Sequence, residues 1–103
     1  MIKGKTFRDQ TIEIDGKHYV NCQFFGCKII FFGYEPVKFE GCLFSHCEWV
    51  FDGPAENTLL FLSALHRGLG LEGANLVEGI FESIRLGGVE KGILVAEPAS
   101  LTR

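Results

Sequence analysis

A chain of 103 residues that is 47% hydrophobic and 22% charged is long enough for one globular domain with a core of its own. Its net charge of −3 is evenly spread, with six basic and seven acidic side chains in residues 1–54 and four and six in 55–103. That balance leaves no basic stripe for a phosphate backbone, so no nucleic acid is expected as a partner. No uncharged run approaches the ~20 apolar residues of a spanning helix, and no charged start leads into an apolar run. Neither membrane span nor signal peptide is expected, which makes the reducing cytoplasm the expected location.

The first predicted elements are short strands. Ile12 and Ile14 alternate ahead of Asp15-Gly16, a tight-turn dipeptide, and Tyr19 follows. From Asn21 to Gly33 and again from Gly41 to Gly53 the chain reads C-x-F-x-x-C-x-x-x-F-x-G, at an interval of 20. Inside each unit large apolar residues recur every five: Tyr19, Phe24 and Ile29, then Phe39, Phe44 and Trp49. Cys22, Cys27, Cys42 and Cys47 stand two residues before the later members of each set. Neither five nor 20 suits a helical stripe, whereas Cys22/Phe24, Cys27/Ile29/Phe31 and their repeats alternate like strands. Short strands at a fixed interval of ~20 residues predict a solenoid. Stacking one turn per interval sets Cys22 on Cys42, Cys27 on Cys47, Phe24 on Phe44 and Phe31 on Phe51, with Trp49 largely inside over Ile29. The stretch after Tyr19 is three residues longer than the one before it, through "GYEP", so the first coil is read as incomplete with a shorter corner. The expected fold is mainly β: a short right-handed β-helix of about two to three coils over residues 6–53, with two flanking or capping α-helices.

After Gly53-Pro54 the period changes. Leu59, Leu62, Leu65 and Leu69 predict an amphipathic helix from about Pro54 to Arg67, opened by proline and stopped at Gly68. A second helix follows the Gly68–Gly73 link, with Leu76, Val77, Ile80, Phe81 and Ile84 on one face. The two-helix segment is expected over 54–92 and a strand or tail over 93–103, all within one domain of residues 1–103.

The five-residue pattern resembles that of pentapeptide-repeat proteins, which implies a right-handed four-sided coil. Cysteine stands here in place of the usual alanine, and aromatic residues mostly replace leucine. A closer resemblance is to a small bacterial β-helix domain of uncharacterised function. It rests on "I-x-I-D-G-K" (Ile12, Ile14, Asp15, Gly16, Lys17), the two cysteine-phenylalanine rungs, and "G-x-A-x-N-T" (Gly53, Ala55, Asn57, Thr58). The glycine-rich link and "V-E-x-x-F-x-x-I-R" from Val77 to Arg85 complete it, over residues 6–86. The resemblance implies a fold and carries no activity with it.

The chemistry written in the chain is sparse. Four cysteines in two C-x4-C pairs invite a zinc site, but ribbons and knuckles place two to four residues between ligands. A buried thiol ladder is the preferred reading over metal or disulfides. "GLGLEG" is formally G-x-G-x-x-G, yet it follows a helix, so an interhelical link is preferred to a dinucleotide loop. His18, His46 and His66 read as solvated or capping, and Asp52 and Asn57 as caps at the coil-helix junction. No catalytic residue, metal or cofactor is expected.

Two functions remain. The first is a non-catalytic structural or interaction module, a homodimer or the receptor of another protein, using outward Phe25, Ile30, Phe32 and Val50 or a coil end. The second is a small-ligand or nucleotide binder, its pocket drawn from Tyr34, His46, Arg67, Gly68, Gly70 and Gly73.

Overall fold

Alternating in-out residues fold here into strands of two to four residues, each ended by a corner before it can lengthen. The computed structural model describes residues 1–87, so the strand or tail expected over 93–103 lies outside the described residues. Among the described residues the strands are β1 (Ile2–Lys3), β2 (Thr6–Arg8), β3 (Thr11–Glu13), β4 (His18–Val20), β5 (Gln23–Phe25), β6 (Lys28–Phe31), β7 (Lys38–Glu40), β8 (Leu43–Ser45) and β9 (Glu48–Phe51). Two helices follow, α1 (Gly53–Gly68) and α2 (Gly70–Arg85). Every third strand is a neighbour: β1-β4-β7, β2-β5-β8 and β3-β6-β9 are three parallel sheets of three strands. That order is a β-helix-like winding of three coils.

The register is the one the repeat predicts. Tyr19 pairs with Phe39, Phe24 with Phe44, Ile29 with Trp49 and Phe31 with Phe51, each 20 residues on. The first interval is 17, as in Phe7 with Phe24 and Ile12 with Ile29. Strands begin at Ile2 rather than near residue 6, because β1 already pairs with β4. The first coil is therefore strand-paired on all three sheets, with the shorter corner that was expected.

Stacking like on like builds the core. Phe7, Phe24 and Phe44 form a column with ring centroids 4.9 and 4.8 Å apart and planes within 13° and 9°. Tyr19 stacks on Phe39 at 5.5 Å and meets Phe24 edge-on at 5.2 Å. Offset and edge-on pairs satisfy the ring quadrupoles while excluding water. Tyr19, Cys22, Phe24, Cys27 and Ile29 of the second coil are each no more than 1% exposed.

Corners turn through the left-handed region, which suits glycine, asparagine, aspartate and histidine. One corner holds Gly4, Asn21 and Gly41 on successive coils; the next holds Asp9, Gly26 and His46, all at φ between 53° and 64°. Glycine alternates with a side chain for a spatial reason. A Cβ on Gly26 would meet the Asp9 carboxylate, and one on Gly41 would meet the Asn21 side chain.

By packing, the chain divides into two compact units, Met1–Thr58 and Leu59 onward, with the boundary inside α1. Asp52 precedes α1; its Oδ1 accepts the Gly53 N–H at 2.8 Å, and its carbonyl accepts those of Ala55 and Glu56. Asp52 thus serves as the cap, and Pro54 sits where its missing N–H costs nothing. The glycine link is shorter than the sequence suggests. Only Leu69 separates the helices, and Gly70 to Gly73 form the first turn of α2. Gly70 at φ 63° makes the reversal, and Gly73 lets the two backbones close, since a Cβ there would run into the Leu65 carbonyl. No helix of the described residues is long and apolar enough to cross a membrane.

Candidate functional site

The thiols sit where the register predicts, at the strand-opening positions of the second and third coils. All four are unpaired. Cys22 donates to the Ile2 carbonyl at 3.4 Å, Cys42 to that of Tyr19 at 3.5 Å and Cys47 to that of Phe24 at 3.4 Å. These three bond back to the preceding coil, while Cys27 bonds within its own coil to the Phe25 carbonyl at 3.6 Å; a small, weakly polar side chain in an apolar layer suits both. Among the described residues no three His, Cys, Asp or Glu side chains gather in a metal-binding arrangement.

The histidines are peripheral. His18, placed in β4 rather than in the turn before it, lies 2.6 Å from Glu40, whose other partner Lys38 is at 3.2 Å. The hydrogen bond from His18, followed by Lys38, holds the Glu40 carboxyl below the ordinary carboxylate range. His46 occupies a left-handed corner with Nδ1 3.0 Å from Ser45 Oγ. That spacing suits a nucleophile and base, but the residues are chain neighbours, and among the described residues no carboxylate orients the ring. His66 ends α1, 3.5 Å from Glu78.

Asp15 was readable only as a turn former. Its Oδ1 accepts the Phe32 N–H at 2.6 Å, and its Oδ2 accepts those of Tyr34 at 2.7 Å and Glu35 at 3.4 Å. The extra residues of the second coil wrap this carboxylate. Desolvation pushes its pKa up, but the N–H donors of Phe32, Tyr34, Glu35 and Gly33 together outweigh it, and the net position is below 3.8. The nest is filled by the chain's own anion, so it offers no room for a ligand's.

The residues expected at an interface lie on outward positions of the coil and are all half-buried. Phe25 carries the Arg8 guanidinium 4.6 Å above its ring, and Phe32 stacks on Tyr34 at 5.8 Å. Ile30 and Val50 are register partners on β6 and β9. Of the residues expected to line a pocket, Tyr34 is 69% exposed beside the Asp15 nest and His46 is exposed at its corner. Arg67, Gly68, Gly70 and Gly73 belong to the helical unit, where Gly73 is consumed by helix contact.

Two surfaces stand out, one a coil end that the sequence pointed to and one that it did not mark. The first is the end of the third coil. Trp49 faces inward in register with Ile29 and packs on Phe39 and Phe44, yet it is 46% exposed rather than largely inside. Phe51 beside it is 45% exposed. Both belong to β9, and among the described residues β7, β8 and β9 each have a strand neighbour on one side only. The second surface is the helical hairpin, where α1 has no buried residue and α2 buries Gly73, Val77 and Ile80. A groove of about 350 Å³ between them is lined by Leu59, Leu62, His66, Val77, Glu78 and Phe81, with Arg67 at its side. No protein-family model matches this chain, nor does any curated protein or solved structure.

Proposed function

We propose that this chain is a non-catalytic interaction module that associates with a second copy through the open end of its third coil. Its winding in this reading is the right-handed one of pentapeptide repeats, and its four unpaired thiols suit a reducing cytoplasm. A contrast between equivalent positions supports the contact. Tyr19, Phe24 and Ile29 are at most 1% exposed, while their partners Phe39 and Phe44 are half-buried and Trp49 is 46% exposed. Among the described residues, these inward side chains of the third coil have a neighbouring coil on one side only.

The two coil ends are not alike. Gln23 bonds to the Lys5 carbonyl as Leu43 bonds to that of Cys22, and Lys28 bonds to Gln10 as Glu48 bonds to Cys27. Lys5 and Gln10 therefore hold the thiol positions on the first coil, and both are exposed. Lysine at a sheet edge discourages pairing, and the third coil has Cys42 and Cys47 there instead. A head-to-tail stack would press Lys5 into the thiol layer and set His46 on Asp9, at a corner that alternates with glycine. A two-fold contact between third-coil ends avoids both conflicts and closes as a dimer. Phe25, Ile30, Phe32 and Val50 add their remaining open surface to this unit's apolar exterior.

Trp49 is the one tryptophan of the chain, so it reports on this contact directly. As the protein is concentrated, its emission should shift blue, iodide quenching should fall, and sedimentation should rise from the 11.5 kDa chain mass to at least twice that. Phe51→Glu should abolish the Trp49 response. A tryptophan equally open to iodide at every concentration would refute the coil-end contact. A small-ligand reading is favoured by one observation, the hairpin groove with Arg67 beside it; native mass measurement of the purified protein would reveal a retained ligand.

A further inference from the structure

We infer that the helical hairpin docks on the hairpin of a second copy, forming a four-helix bundle at a contact separate from the coil end. The first ground is that α1 spans 16 residues without burying one of them. Only Leu62 and Leu65 among its large apolar side chains are even half-buried, and a helix with so little of its apolar face covered is marginal in water, since most helical stability comes from packing that face. The residues offering such a face are present and open: Leu60 is 58% exposed and Phe61 62%, and Leu59, Leu76, Phe81 and Ile84 are also exposed.

Area gives the second ground. With Leu69, Leu71 and Leu86 included, nine large apolar side chains of the hairpin are 42–77% exposed. Scaled by those fractions, large apolar side chains that bury on the order of 100–200 Å² each leave roughly 500–1,000 Å² of apolar surface open on the hairpin. The largest patch on a typical soluble monomer is about 300–600 Å². A standard interface takes about 800 Å² from each partner. The hairpin therefore exposes what one side of a stable dimer needs.

Charge names the occupant. From Leu59 to Gly68, α1 carries Arg67 and His66 and no acid, while α2 carries Glu72, Glu78 and Glu82 against Arg85. A second hairpin related by a two-fold axis sets each α1 on the partner's α2, bringing Arg67 to the acidic helix. An acidic hairpin is a poor fit to an anionic bilayer, which attracts basic helices. With the coil-end contact, each chain has two separate self-contacts, so the wild-type assembly grows beyond a dimer.

The test is far-ultraviolet helicity and sedimentation over a dilution series for the full chain, for Leu60→Glu/Phe61→Glu, and for Phe51→Glu. Wild-type helicity should rise with concentration as α1 finds its partner. The double variant should lose that rise and assemble no further than a dimer while keeping the concentration response of Trp49. Phe51→Glu should also stop at a dimer but keep the helicity rise, which separates this contact from the coil end. The inference is overturned if wild-type helicity is constant on dilution, a result readable even if the double variant fails to fold. It is equally overturned if the double variant keeps the wild-type mass. Neutral phosphatidylcholine vesicles that raise helicity while the chain stays single would assign the hairpin to lipid instead.

Discussion

Replacing Phe24 by alanine removes the middle ring of the Phe7–Phe24–Phe44 column. Phe24 is fully buried, with stacked rings at 4.9 and 4.8 Å and edge contacts to Tyr19 at 5.2 Å and Phe39 at 6.1 Å. Losing a buried phenylalanine forfeits about 2–3 kcal/mol of transfer free energy. The cavity between coils that cannot close raises the cost to about 4–5 kcal/mol. Phe7→Ala is the matched control, because Phe7 is half-buried, stacks on one face only and lies at the guarded end. Its loss should cost about 2 kcal/mol. Small domains hold roughly 5–15 kcal/mol in total, so Phe24→Ala should be barely folded while Phe7→Ala unfolds cooperatively at lower denaturant. Urea titration followed by circular dichroism, with the slope checked for constancy, gives both numbers. Equal losses at the two positions would refute the stacked-coil account, in which the middle of the column is held from both sides.

Cys22→Ala should cost about 1 kcal/mol or more and Cys42→Ala less, since the second thiol is half-buried, and no version should bind zinc by elemental analysis. Asp15→Asn should destabilise the chain near neutral pH. The folded pKa of Asp15 is depressed, so its contribution is present above the unfolded value near 3.8 and disappears as pH falls through the folded one. The stability gap between wild type and Asp15→Asn should therefore be flat above pH 4 and shrink in acid; a gap independent of pH would refute the carboxylate's role. Burial, then Cys22 and Cys42, raise the Tyr19 phenol above its ordinary 10, so its stabilising share persists below pH 10 and is lost as pH climbs through the raised value. Tyr19→Phe should remove part of the alkaline loss expected in pH-jump unfolding, and an unchanged alkaline limb would count against this assignment.

The coil was legible because its rungs copy one another. Phe24 over Phe44 and Cys22 over Cys42 follow from spacing alone, and so does the shorter first corner. The rest depends on what the spacing does not carry. Alternation told which way Trp49 points but not that the stack stops beneath it, so an inward side chain is left open. Asp15 gathers donors from residues 32 to 35, a partnership across coils that no local pattern announces. The first coil was harder to read because Lys5 and Gln10 break the cysteine pattern at the edge, where polar residues are useful. Gly70 and Gly73 looked like a linker, yet one makes the reversal and the other a close helix contact. The hairpin's apolar stripe was visible in Leu59, Leu62 and Leu65, but how much of it stays uncovered is a tertiary fact.

The alternation of glycine and side chain at the corners gives the coil a parity. Gly4, Asn21, Gly41 and Asp9, Gly26, His46 run out of phase, with the Asp9 and Asn21 side chains filling the space that the next coil's glycine leaves vacant. Duplicating the single turn from Asn21 to Glu40 would therefore set asparagine against asparagine at one corner while the neighbouring corner received two glycines. Duplicating two consecutive turns would restore both alternations. By this rule the solenoid lengthens in pairs of rungs, and its heritable unit is twice the period written in the sequence.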